Sequence, residues 1–438
     1  MSDLVPLAVA ATTLLVATGV GLLVRGRSAE PAPRLGLAVT TLVGMCALAA
    51  VLPNLFLLGL PRNAVLGLAW SAAGLGIALH ARRELRQLRG RDFGIAIALT
   101  LLTAAPWLHA ATSPPLYHDA MLMWWPKVLE AWNGELPDPT RLTLTHTNQP
   151  YPRGMAWLTV LGCVFGPPTP QAMASLAMAW AWLTALAMVS FARSVGRTGL
   201  GLAAAALFVL APDVARHAGA GMADCAIGGA ALLAAIGLAR RTSAPEGHRI
   251  AIAAAIGAAS LKEEGTVVLL AVGAHFAFDV LWRADRRWNA LRCGPAIAVL
   301  VPFTLLRAHV QQTRMEALPV LLHDPHMLLL RGIAVCEQVA DFALRHSPVA
   351  GPLLLGALLV LLPRGWPRPL TPWPALLLLP VAMLVYATTT VAVQWHVQTT
   401  FDRLLIELLP TVLLAAALRL TGDTNHPTAQ VAAPATPR

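Results

Sequence analysis

Long apolar runs, broken at intervals by short clusters of arginine, glycine and proline, make up most of this chain. A helix of about 20 apolar residues crosses the roughly 30 Å hydrocarbon core of a bilayer. The runs near 4–24, 35–60, 64–80, 93–111, 170–192, 199–212, 225–239, 248–261, 265–282, 289–306, 349–363, 373–392 and 403–420 therefore predict about 11–13 spans. The pattern is that of an all-α, polytopic transmembrane helical bundle. One stretch departs from it: Thr112 to Arg153 is long, polar and rich in tryptophan, and lies between apolar runs. Loops of that length are uncommon without a function, and its aromatic and apolar residues argue against disorder.

Composition agrees with the pattern. Apolar residues are 57% of the chain, charged residues 12%, and mean hydropathy is +0.63, outside the range of soluble globular domains. The first apolar run has no basic residue before it, only Asp3, and is too long for a signal peptide, so it is expected to remain as a helix. The tail 421–438, rich in Pro, Thr and Ala without periodicity, is expected to be disordered and cytoplasmic.

The net charge of +10 is a topology signal. Arg25, Arg27 and Arg34, then Arg82 to Arg91, Arg193 and Arg197, Arg240 to Arg249, Arg283 to Arg292, and Arg364 and Arg368 fall in alternate loops, as basic loops retained in the cytoplasm do. This places the 112–153 loop, 213–224, 262–264, 307–326 and 394–403 together on the opposite, outer face. The arginines thus account for the charge, and no nucleic-acid partner is expected. The five cysteines are scattered and odd in number, with no disulfide framework and no zinc spacing.

Several ionisable residues fall at membrane level, where an unpaired charge facing lipid costs at least about 2.5–3.5 kcal/mol. Lys262-Glu263-Glu264 sits between two apolar runs with almost no loop around it. A lysine near a helix end can snorkel, but three consecutive charges are harder to place that way. Lys127 and Lys262 are the only two lysines, and both fall on the outer face, where an ammonium suits a phosphate or carboxylate. Asp224 either caps the following helix or belongs to a site. Asp402-Arg403 either pair with each other or leave the guanidinium for a phosphate. His323 and His326, flanking Asp324 and Pro325, form a weak metal-ligand pattern.

His118-Asp119-Ala120 followed by Trp124 to Lys127, then Gln149-Pro150-Tyr151-Pro152 opening an apolar run, resembles the first external loop of bacterial integral-membrane glycosyltransferases of the C superfamily. These are polyprenyl-phosphate-sugar-dependent enzymes related to protein O-mannosyltransferases and aminoarabinose transferases. Gly221 to Asp224, Leu261 to Gly265 and Thr400 to Leu404 resemble later segments in the same order, so the likeness covers roughly 93–420. Residues 1–92 then read as an added N-terminal set of helices.

The resemblance implies an inverting transfer of one sugar from a polyprenyl-phosphate donor, on the periplasmic face of a bacterial inner membrane, to a lipid, polysaccharide or protein acceptor. It makes Asp119 the general base that takes the acceptor hydroxyl proton. Lys262, Arg403 and Lys127 would hold the departing phosphate, and His118, Asp224 and Glu264 would complete the substrate site. The family often carries two adjacent acids in this loop. Here His118 precedes a lone Asp119, which argues against a divalent metal unless Asp224 and Glu264 converge to supply further carboxylates, and no cofactor beyond the lipid-linked substrate is otherwise expected. The rival reading is a secondary transporter or lipid flippase relaying protons or ions through Asp224, Lys262, Glu263, Glu264 and Asp402.

Overall fold

The computed structural model describes residues 4–26, 36–85, 90–113, 121, 124–135, 152–241, 244–302, 305, 325–345, 347, 349–361, 370, 372–388 and 392–420. Every regular element among them is a helix, as the apolar runs predict. In chain order these are α1 (Val5–Arg25), α2 (Leu37–Leu57), α3 (Arg62–Leu85), α4 (Gly90–Thr112), α5 (Trp125–Asn133), α6 (Gly154–Gly162), α7 (Pro170–Ser194), α8 (Thr198–Leu210) and α9 (Pro212–Gly219). There follow α10 (Asp224–Arg240), α11 (Glu246–Leu261), α12 (Gly265–Trp282), α13 (Ala284–Ala298), α14 (Pro325–Arg345), α15 (Ala350–Leu361), α16 (Trp373–Leu376), α17 (Leu378–Thr388) and α18 (Val393–Leu420).

The chain is a multi-pass membrane protein. Among the described residues, six helices are long and apolar enough to cross a bilayer: α1, α2, most of α3 and α4, α7 and α12. The count rises to eight if the bent pairs α8–α9, at 60°, and α14–α15, at 111°, each form one span. The 11–13 expected spans include helices that fall short of that test for stated reasons. α10 and α11 have 17 and 16 residues, about 25 Å each at 1.5 Å per residue, and α18 carries charges along its length.

α7, α10, α11 and α2 form the interior of the bundle. In lipid the contact between helices comes from close van der Waals packing of small residues. Gly257 on α11 lies against Cys46 of α2, where an added Cβ would stand 2.6 Å from the Cys46 Cα. Gly228 on α10 faces α18, and a Cβ there would stand 2.8 Å from the Ile406 carbonyl oxygen. α1 and α2 pack directly against α7 and α11, so the N-terminal helices share the interior with the rest. Trp157 and Trp180 fill the larger spaces and are fully buried.

A polar network closes one end of this interior. Arg25 at the end of α1 bonds Thr40 on α2 and pairs with Glu246 at the start of α11 at 3.2 Å. Arg240, the last residue of α10, meets the same carboxylate at 3.5 Å. Asp279 on α12 gathers Arg241 at 2.9 Å, His248 at 3.3 Å and Arg286 at 3.7 Å. Arg193 at the end of α7 pairs with Asp92 of α4. The arginine-rich ends of α1, α7, α10 and α12 therefore meet on one side, as their alternate placement in the sequence predicts.

Candidate functional site

The opposite ends of α10 and α11 carry a second polar network, and it contains most of the described site candidates. Three residues, Lys262 to Glu264, join α11 to α12. Lys262 adopts an extended backbone, φ −158° and ψ 160°, that ends α11. Its side chain turns inward, with 4% of the residue exposed. Lys262 Nζ donates to Asp224 Oδ1 at 2.8 Å and to Glu407 Oε1 at 2.8 Å, and Glu264 Oε1 lies 3.1 Å away. The snorkelling alternative does not describe this geometry, because the ammonium is held by carboxylates inside the bundle.

Asp224 opens α10, but no side-chain capping bond is made at that terminus. Its carboxylate is committed to Lys262 and, through Oδ2, to His217 Nδ1 at 3.4 Å. The turn before it makes this possible: Gly221 has φ +74°, a left-handed conformation that side chains resist. That turn folds α9 back over the start of α10, so His217 and Asp224 face each other. Close approach at Gly228, one helical turn along, then lets Glu407 of α18 reach the same lysine.

The network continues toward the surface. His217 Nε2 lies 2.9 Å from Asp402 Oδ2, and Arg216 Nη2 lies 3.1 Å from the same oxygen and 3.1 Å from Asp213 Oδ1. Asp213 Oδ2 accepts from Ser347 Oγ at 3.1 Å and from the Ala350 N–H at 3.4 Å. Asp402 pairs with Arg216 and His217, and its Oδ1 accepts the backbone N–H of Arg403 at 2.9 Å. Arg403 is half-buried beside them. Tyr386 of α17 closes the other flank and accepts a hydrogen bond from Thr400 at 2.9 Å.

Lys127 belongs to the same side. It is fully buried in the first turn of α5, with its ammonium 5.0 Å from the centre of the Trp124 ring. Burial pushes its pKa well below the usual lysine range, the Arg153 guanidinium adds to this, and the Glu130 and Glu263 carboxylates oppose it. Glu263 adjoins Lys262, so the two lysines converge on one charged link between α11 and α12. Arg153 pairs with Glu130 at 2.6 Å, tying α5 to the start of α6.

Lys127, Asp224, Lys262, Glu264 and Arg403 thus all lie toward this end. His118 and Asp119, the expected binding residue and general base, lie outside the described residues, as do His323 and Asp324. Among the described residues no three His, Cys, Asp or Glu side chains are set to hold a metal ion. The five cysteines are free, four of them buried and Cys336 exposed. A cavity of about 330 Å³ lies away from this site, near the arginine-rich end, between Leu14, Leu37, Phe93, Trp182 and Arg193.

Sequence reasoning missed three charged members, Glu407, His217 and Arg216. Glu407 is the single charge in Leu404-Leu405-Ile406-Glu407-Leu408-Leu409, and a lone acid inside an apolar run is a signal in its own right. His217 and Arg216 lay only within the 213–224 segment placed on the outer face.

Comparison with known proteins returns no matching family model, no matching curated protein and no matching solved structure.

Proposed function

We propose that this protein is a membrane glycosyltransferase that moves a sugar from a polyprenyl-phosphate donor to an acceptor on the periplasmic face of a bacterial inner membrane. The observation carrying the reading is convergence. Asp224 and the Lys262–Glu264 segment, taken from separate stretches of sequence for their likeness to such enzymes, come together with the Asp224 and Glu264 carboxylates within 3.1 Å of the Lys262 ammonium, and Arg403 and Lys127 lie on the same side. Asp119 would act as general base on the acceptor hydroxyl. A half-buried Arg403 at the rim, with Lys127 behind the aromatic wall of Trp124, would offset charge on the leaving phosphate. The lysine-centred network would fix the ends of α9, α10, α11 and α18 that carry these groups.

Transfer of radiolabelled sugar from polyprenyl-phosphate donors in proteoliposomes tests the reading. The native protein should transfer, and Asp119→Asn at equal expression should lose about a hundredfold or more in rate. Transfer that is undiminished in the variant discards Asp119 as the base.

A second reading, a proton-coupled transporter or flippase, is favoured by one observation. Lys262 is occupied by carboxylates, two of them nearly inaccessible, and membrane-embedded acid–base chains of this kind mark proton pathways. Substrate-independent proton flux across the same proteoliposomes, with no sugar transfer from any donor, would select it.

A further inference from the structure

A line of ionisable groups runs inward from the rim of the site, joined by hydrogen bonds at every step but His217 to Asp224, which is a charge contact. Asp402, whose side chain is 16% exposed, meets His217 at 2.9 Å; His217 meets Asp224 at 3.4 Å; Asp224 meets Lys262 at 2.8 Å; and Lys262 meets Glu407 at 2.8 Å. Beyond Asp402 every member is buried. The line ends on Glu407, 1% exposed and near the middle of α18, whose second oxygen Oε2 has no hydrogen-bond partner among the described residues.

Three carboxylates and two bases make up this line, so with every group ionised it carries one net negative charge at low-dielectric depth. Uncompensated buried charge costs several kcal/mol. Glu264 beside Lys262 adds to the excess, and Arg216 on α9 pairs with Asp402 as well as with Asp213, so Arg216 and Asp213 together add no net charge. Among the described residues Tyr386 also faces Lys262 and Glu407, and the Arg403 N–H bonds Asp402. Of these only Arg403 carries charge, and it sits at the rim beside Asp402.

We propose that Asp402, His217, Asp224, Lys262 and Glu407 form a proton-binding centre, in which one proton from solution enters at Asp402 and is stored on Glu407. Hydronium protonates Asp402 and leaves as water. His217, neutral with its proton on Nδ1, accepts at Nε2 and releases the Nδ1 proton to Asp224. Lys262 passes a proton to Glu407 Oε1 and regains one from Asp224. With His217 neutral the line starts at net −2 and ends at −1, and Glu407 becomes an un-ionised acid with an O–H donor. Its ligand is the proton itself, so the proposal is independent of the transferase reading and would serve the transporter reading equally.

The test is infrared difference spectroscopy of the purified full-length protein in lipid nanodiscs, without donor or acceptor, titrated through pH. The wild type should show the carbonyl band of an un-ionised carboxylic acid that persists well above the usual carboxylate range and shifts on exchange into D2O. Glu407→Gln, which keeps the shape and removes the titrating group, should lose that band. His217→Asn should keep the band at equilibrium but slow its appearance after a pH jump by about a hundredfold, the lower end of what a positioned proton-transfer group contributes. A wild type with no such band overturns the proposal whether or not the variants fold. Survival of the band in Glu407→Gln overturns the assignment to Glu407, and an unchanged rate in His217→Asn overturns the path.

Discussion

α10 and α11 are capped by charged networks at both ends, about 25 Å apart, and the two are built in opposite ways. At the arginine-rich end the two buried acids are outnumbered: Glu246 faces Arg25 and Arg240, and Asp279 faces Arg241, Arg286 and His248. At the other end the two bases at the centre are outnumbered: Lys262 faces Asp224, Glu407 and Glu264, and His217 faces Asp224 and Asp402. Excess guanidinium can be relieved by lipid phosphates and by snorkelling of long stems. Excess carboxylate away from water has no such relief except a proton or a bound cationic partner. The first network therefore reads as a clamp between helices, the second as a place where charge changes.

The largest effect should come from removing the shared lysine. Lys262→Met leaves Asp224 and Glu407 buried without a counter-charge and should cost about 3–5 kcal/mol, measured as a drop in Tm in detergent. Adding Glu407→Gln to it should recover part of that loss; strict additivity in the double-mutant cycle would show that the two side chains do not share a site. Glu246→Gln at the other end should cost less, about 1–3 kcal/mol, because Arg25 keeps Thr40 and both arginines can reach the interface. A smaller Tm loss in Lys262→Met than in Glu246→Gln would break the contrast between the two ends.

The second lysine gives a pH-dependent comparison. Burial holds Lys127 well below 10.5, so the unfolded chain binds its proton more tightly than the native one. The resulting destabilisation is complete below the native pKa and is removed as pH rises to the unfolded value. Lys127→Met should therefore melt above the wild type at neutral pH, with the gap narrowing toward alkaline pH; a constant gap would contradict the assignment to this ammonium. The smallest effect belongs to Arg216→Gln. Its side chain is 43% exposed, and loss of its two ion pairs should cost less than about 1 kcal/mol.

The sequence made the helices legible because a membrane leaves few alternatives for an apolar run. The sidedness of the arginines carried over into contact between Arg25, Arg240 and Glu246. Lys262, Glu264 and Asp224 were readable as charges out of place, although not their common partner. Glu407 escaped notice because a single letter in an apolar stretch reads as a tolerated exception. His217 escaped because its role depends on the Gly221 turn folding α9 over α10. Asp224 was ambiguous with a helix cap, and only the direction of its side chain decides between the two. What sequence spacing cannot supply is the crossing of α10 and α18, set by backbone approach at Gly228. The catalytic assignment of Asp119, and its partner His118, rests on resemblance alone.

A chain that uses arginine almost everywhere places one of its two lysines where three carboxylate oxygens lie within 3.1 Å of a single nitrogen. An ammonium has three N–H bonds pointing in three directions, whereas a guanidinium is flat and presents its donors in a fork. Two of these oxygens, on Asp224 and Glu407, accept hydrogen bonds from the ammonium, and the third, on Glu264, lies beside it as an ion pair. Charge alone does not specify this position; the direction and reach of the donors do, and Lys262→Arg would keep the charge while losing those directions.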